Sequence, residues 1–104
     1  MNFLTVFVTV PNLKTANKIT DIVLKNKLCA CVSVLKNADS YYWWKNKITR
    51  SREALLIMKT SRKNFRKLEK QIKDVHPYEV PEIVSFKIDK ASKDYLNWIK
   101  KYAG

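Results

Sequence analysis

The chain has 104 residues and a mass of 12.2 kDa, which is room for one domain. With 46% hydrophobic and 29% charged residues and a single glycine, Gly104, it is neither a disordered nor a collagen-like or linker-rich sequence. No stretch approaches the ~20 mainly apolar residues of a membrane helix, and 21 basic against 9 acidic side chains give a net charge of +12.

Phe3 to Val10, β-branched and aromatic, predicts a first strand, which Pro11-Asn12 breaks with Asn12 placed to cap a helix. Ala16, Ile19, Val23 and Leu24 recur at helical spacing to about Lys27. A second strand is expected from Cys29 to Leu35, an interruption over Lys36–Ser40, and a resumption at Tyr41–Trp44. Lys45-Asn46 has the chemistry of a hairpin turn, with Asn46 able to hold positive φ. Ile48 to Thr60 predicts the third strand. Phe65, Leu68, Ile72 and Val75 mark a second helix stopped at His76-Pro77. Ile83 to Ile88 gives a fourth strand, and Ser92 caps a last helix carrying Leu96, Ile99 and Tyr102.

This β-α-β-β-α-β order predicts an α+β fold of the ferredoxin-like kind, one domain over residues 1–104, with a long hairpin between strands two and three and an extra C-terminal helix. Right-handed crossovers would put both long helices on one sheet face. Side-chain alternation assigns Leu4, Val6, Val8, Ala30, Val32, Val34, Leu55, Ile57, Val84, Phe86 and Ile88 to that face. It leaves Phe3, Thr5, Phe7, Thr9, Cys29, Cys31, Ser33, Leu35, Ala54, Leu56 and Met58 on the other. The second set is too apolar for water, and Tyr41, Tyr42, Trp43 and Trp44 decorate both sides of an arm far from the core. Burial of these groups calls for something outside the monomer.

Cys29 and Cys31 share a strand face at a separation too great for an unstrained bridge, so both are expected as free thiols, with Cys31 a candidate soft-metal ligand. Two cysteines and one histidine do not make a zinc site. His76 sits in the stiff connector His76-Pro77-Tyr78-Glu79-Val80-Pro81-Glu82, either as a structural joint or as a metal or anion ligand. Acid–base catalysis lacks a nucleophile partner there. Arg62, Arg66, Lys70 and Lys73 form a cationic stripe, read first as a solvated face. A nucleic-acid module using the helix over residues 61–75 with Trp43 and Trp44 as a stacking platform is the alternative. A glycine-rich phosphate loop is impossible with the one glycine at the end of the chain.

Six segments together resemble the CutA (divalent-cation tolerance) family: Phe7–Asn12; Lys27–Val32; Tyr42-x-Trp44-x-x-Lys47-Ile48; Glu53-x-Leu55–Thr60; His76–Ile83; and Tyr95-Leu96-x-Trp98-Ile99. They cover nearly the whole chain in order. The resemblance implies a ferredoxin-like homotrimer similar in architecture to the PII proteins, in a family with no established enzymatic activity. The strand-like N-terminus without a basic n-region, together with the lack of a membrane helix, sets a cytoplasmic address as the expectation. The resemblance further implies copper binding and metal tolerance. Cys31 matches the family cysteine and Cys29 is additional, while Asn46 stands where the family commonly has glycine. Val8 and Val75 occupy the places of a cysteine and a histidine in copper-binding bacterial members.

The expectation is therefore a self-associating protein with a weakly held copper or other divalent cation. His76, Cys31 and Glu53 are the metal ligands, with others borrowed across subunits, and affinity falls as the imidazole takes a proton. Tyr42, Trp43, Trp44, Lys47, Tyr78, Glu79, Glu82 and Trp98 are the expected binding and interface residues. Neither membrane nor nucleic acid is an expected partner.

Overall fold

The computed structural model describes residues 2–104. Elements follow in the order β1 (Phe3–Val10), α1 (Leu13–Lys25), β2 (Cys31–Trp44), β3 (Lys47–Ser61), a 3₁₀ turn (Arg62–Asn64), α2 (Phe65–Val75), β4 (Ile83–Lys87) and α3 (Lys93–Ala103). The strands form one antiparallel sheet in the order β2-β3-β1-β4, the ferredoxin-like arrangement.

Local chemistry explains the boundaries. The Asn12 side chain accepts from the Thr15 amide at 2.8 Å and starts α1. The helix ends two residues before the expected Lys27, because Lys27 turns left-handed at φ 53°. Its amide then bonds Leu24 O at 3.0 Å and the next amide, Leu28, bonds Val23 O at 2.9 Å. That pair of bonds is a Schellman cap, built on lysine where glycine is usual. Ser92 caps α3 by accepting from the Tyr95 amide at 3.3 Å.

Ala16, Ile19 and Val23 of α1 and Leu68 and Ile72 of α2 press on one sheet face. The residues beneath them differ from the alternation assigned along the sequence. Val6 pairs with Met58 and Val8 with Leu56, so Ala54, Leu56 and Met58 belong to the covered face and are buried. Leu55, Ile57, Val84 and Phe86 point to the opposite face with Phe7, since Phe7 pairs with both Ile57 and Val84. The run Ala54–Met58 is apolar at every position and carries no alternation; pairing to β1 decides its face, and a slip of one residue reverses it. Cys29, expected on the open face, lies before β2 and is buried in the core.

The correction makes the uncovered face more apolar. Phe7 and Phe86 meet edge to face at 5.2 Å between centroids, and Phe86 stays 53% exposed. α3 covers only the end of this face nearest Cys31, whose Sγ lies 3.8 Å from Tyr95 Oη. Ile99 and Ala103 of α3 are buried there, and Asn64 Nδ2 donates to Ala103 O at 2.7 Å.

The expected interruption over Lys36–Ser40 is a bulge within one continuous β2. Leu35 pairs with Leu55 and Ala38 with Glu53, which leaves Lys36 and Asn37 opposite the single residue Ala54. Asn37 takes φ 60°. Such a bulge keeps the strand paired while sharpening its twist.

Candidate functional site

The arm beyond the bulge turns on Lys45 and Asn46, at φ 50° and 64°, the two left-handed positions of a type I′ hairpin. Its strands stay in register from Ala38↔Glu53 to Trp44↔Lys47. Tyr42 Oη and Ser51 Oγ are hydrogen bonded at 2.7 Å, and Asp39 holds Arg50 at 3.2 Å and Arg52 at 3.4 Å. These exposed ion pairs contribute little energy but tie the arm's strands together.

Opposite the arm runs the connector 76–82. The His76 amide closes α2 by donating to Ile72 O at 2.9 Å, and Pro77 bars another turn. The imidazole, 8% exposed, is anchored at both nitrogens. Nε2–H donates to Thr9 O at 2.8 Å, and Nδ1 accepts from the Tyr78 amide at 3.1 Å, an arrangement that assigns the neutral Nε2–H tautomer. A metal at either nitrogen has to displace one of these bonds. His76 is thus a joint binding the end of α2 to β1 and to the start of the connector.

The joint aims Tyr78 at β3. Its hydroxyl donates to Glu53 Oε2 at 2.8 Å. Burial, helped by that carboxylate, raises the phenol well above its ordinary range and keeps it a donor. Glu53 is only 6% exposed, and among the described residues nothing donates to its second oxygen.

Between arm and connector lies a cleft of about 850 Å³, lined by residues 40–44 and 77–82 with Thr9 and Glu53. It brings together Glu53, Tyr42, Trp43, Trp44, Tyr78, Glu79 and Glu82 of the residues expected from sequence. His76 supports it from behind. Lys47, paired with Trp44 at the turn, is not part of the lining.

Cys31 and Trp98 lie elsewhere. Cys31 faces Tyr95, whose phenol is raised by burial and by that thiol. Trp98 stacks on Tyr95 at 5.6 Å and lines a smaller groove of about 280 Å³ with Leu24, Cys29 and Tyr102. Cys29 is buried, which pushes its thiol up to about 12, with the neighbouring Cys31 adding to the effect. Among the described residues no three His, Cys, Asp or Glu side chains stand close enough to hold a metal ion.

The basic helix and the tryptophan arm are also apart. Arg62 donates its amide to Asn2 O beside the start of β1, and the whole length of β3 separates it from the hairpin turn. The contacts themselves do not show in the sequence: Thr9 offers a backbone carbonyl to His76, Tyr78 reaches Glu53, and Tyr95 reaches Cys31 across 64 positions.

The sequence profile described as "CutA1 divalent ion tolerance protein" matches residues 4–102. A curated relative, "Divalent-cation tolerance protein CutA" of Thermus thermophilus, is 35% identical over 99 residues, covering 95% of this chain and 96% of its own. Its namesake in Pyrococcus horikoshii is 36% identical over 94 residues, covering 90% and 91%. The crystal structure of CutA1 from Oryza sativa superposes with a TM-score of 0.96 at 33% identity, covering 100% of this chain and 95% of the other.

Proposed function

The chain belongs to the CutA1 divalent ion tolerance family, and from that membership we propose that it acts in divalent-cation tolerance as a non-enzymatic homotrimer in the cytoplasm. The observation that carries the trimer is the open sheet face, where Phe7, Leu55, Ile57, Val84 and Phe86 have no helix over them. An apolar face of this kind marks an interface between chains. The arm adds further uncovered apolar area, with Trp43 72% exposed. Two free thiols suit a reducing compartment, and among the described residues no helix is long and apolar enough to cross a membrane.

Sedimentation equilibrium tests the assembly. The wild type is expected as a trimer, and Phe86→Asp is expected to shift it towards monomer. A monodisperse wild-type monomer would overturn the reading.

Copper or another divalent cation is held weakly, with Glu53, His76 and Cys31 each contributing at most part of a site that neighbouring subunits complete. A selective copper(II) site wants several nitrogen or oxygen donors in fixed geometry, and the described residues of one subunit do not cluster them. Equilibrium dialysis with copper(II) checks this. Modest binding that weakens in His76→Ala and in the dissociated Phe86→Asp protein is expected. Tight binding by the monomer contradicts it.

A further inference from the structure

The cleft between arm and connector has a composition at odds with the rest of the molecule. Although the chain carries 21 Lys and Arg, none of them lines it. Three of the nine acidic residues do: Glu53, Glu79 and Glu82. Four of the other acids, Asp21, Asp39, Glu69 and Asp74, are ion-paired with Lys or Arg, whereas these three make no ion pair among the described residues. Glu53 is the most informative, because a carboxylate 6% exposed in a +12 protein faces the cleft with one oxygen held by Tyr78 and the other free. A buried carboxylate without a positive partner is costly unless a cation completes it.

Aromatic side chains share the lining. Tyr42 and Trp44 come from the arm and Tyr78 from the connector. Aromatic faces attract ammonium and guanidinium groups and pack well against methylene stems. An inorganic dication has the opposite demand, for several oxygens converging on one point at about 2.0–2.6 Å. These carboxylates do not converge in that way. Set among aromatic side chains without converging on one point, they match positive charges that are themselves spread out and joined by apolar linkers.

We propose that this cleft binds a linear aliphatic polyamine, its ammonium groups on Glu53, Glu79 and Glu82 and its methylene segments against Trp44, Tyr42 and Tyr78. The proposal concerns an organic cation and, of the residues given above to the divalent cation, shares only Glu53. The open oxygen of Glu53 takes the innermost ammonium, and the two exposed glutamates of the connector take the outer charges.

Isothermal titration calorimetry of the assembled protein with spermidine, at low salt, tests it. Saturable binding is expected that weakens about tenfold in Glu53→Gln, which keeps an acceptor for the Tyr78 hydroxyl. A comparable loss is expected in the double variant Glu79→Gln/Glu82→Gln, whose exposed side chains make no intramolecular hydrogen bond or ion pair and so leave folding intact. Trp44→Ala is expected to weaken binding further, and magnesium at equal concentration is expected not to compete. Unchanged affinity in the glutamine variants would overturn the assignment. So would stoichiometric displacement of spermidine by copper(II), which would make the cleft a metal site. Binding seen only in the dissociated Phe86→Asp protein would also overturn it, because a second copy of the chain would then occupy the cleft. Sedimentation of the same samples keeps a failure of assembly distinct from a failure of amine binding.

Discussion

Lys27 carries a left-handed turn with a side chain that the conformation disfavours by roughly 1 kcal/mol, and it does so because only Gly104 among all residues is glycine. Lys27→Gly is expected to stabilise the fold by about 0.5–1 kcal/mol in urea denaturation, since the Schellman bonds ask for positive φ and nothing from the side chain. Cys29 makes a pH-dependent contribution. Burial holds its thiol protonated to about pH 12 in the folded chain, whereas in the unfolded chain it ionises near pH 8.5. The folded state therefore holds more protons above that lower value, and stability falls as pH rises. From pH 8.5 to 10.5 the loss from this group is on the order of 2 kcal/mol. Thermal melts across that range should show a shallower decline in Cys29→Ala. The raised phenols of Tyr78 and Tyr95 act in the same direction at higher pH. Tyr78→Phe, in turn, strips a buried carboxylate of its donor and should cost about 1.5–3 kcal/mol, with much of that penalty relieved when Glu53→Gln is added.

At the scale of elements, β3 is where sequence reading and structure part. Strands, helices and the I′ turn could be read from local chemistry: the β-branched run Phe3–Val10, the Asn12 and Ser92 caps, Asn46 in the turn, Pro77 after α2. The face of β3 could not, because Ala54–Met58 is apolar throughout and its orientation is set by a partner strand more than 40 positions away. The bulge is hidden for a similar reason, since Lys36-Asn37 looks the same as a break until Glu53 is known to pair with Ala38. In the site, His76-Pro77 was legible as a joint, while the Tyr78–Glu53 bond across 25 positions was not. The corrected faces make opposite predictions for neighbouring leucines. Leu56→Ala should cost the subunit about 2–5 kcal/mol as a core cavity. Leu55→Ala should barely alter subunit folding but weaken the oligomer, as paired denaturation and sedimentation measurements would reveal.

Over the whole molecule, charge is the least balanced quantity. The outer surfaces of α1, the 3₁₀ turn and α2 carry Lys14, Lys18, Lys63 and Lys67, which make no ion pair among the described residues, along with the paired Arg66, Lys70 and Lys73. Self-repulsion among such groups is screened within about 10 Å at 0.1 M salt. The melting temperature should therefore rise as sodium chloride is raised from about 0.01 M to 0.1 M and beyond, by a few degrees for a domain of this size. A melting temperature that falls over this range would mean that the ion pairs on Asp39, Glu69 and Asp74 outweigh the repulsion. The cleft is the local exception to this cationic surface, which is why a positive ligand can enter a molecule that repels cations as a whole.

The position of the aromatic arm has a spectroscopic consequence. All three tryptophans lie outside the core: Trp43, Trp44 and Trp98 are 72%, 40% and 39% exposed, and none belongs to the buried cluster between helices and sheet. Indole emission from an isolated subunit should already be red-shifted and should change little when the core melts. Any blue shift in the native protein then reports an arm covered by something else. Denaturation followed by indole emission and by far-ultraviolet circular dichroism would trace two separate events, the first the uncovering of the arm and the second the loss of the fold.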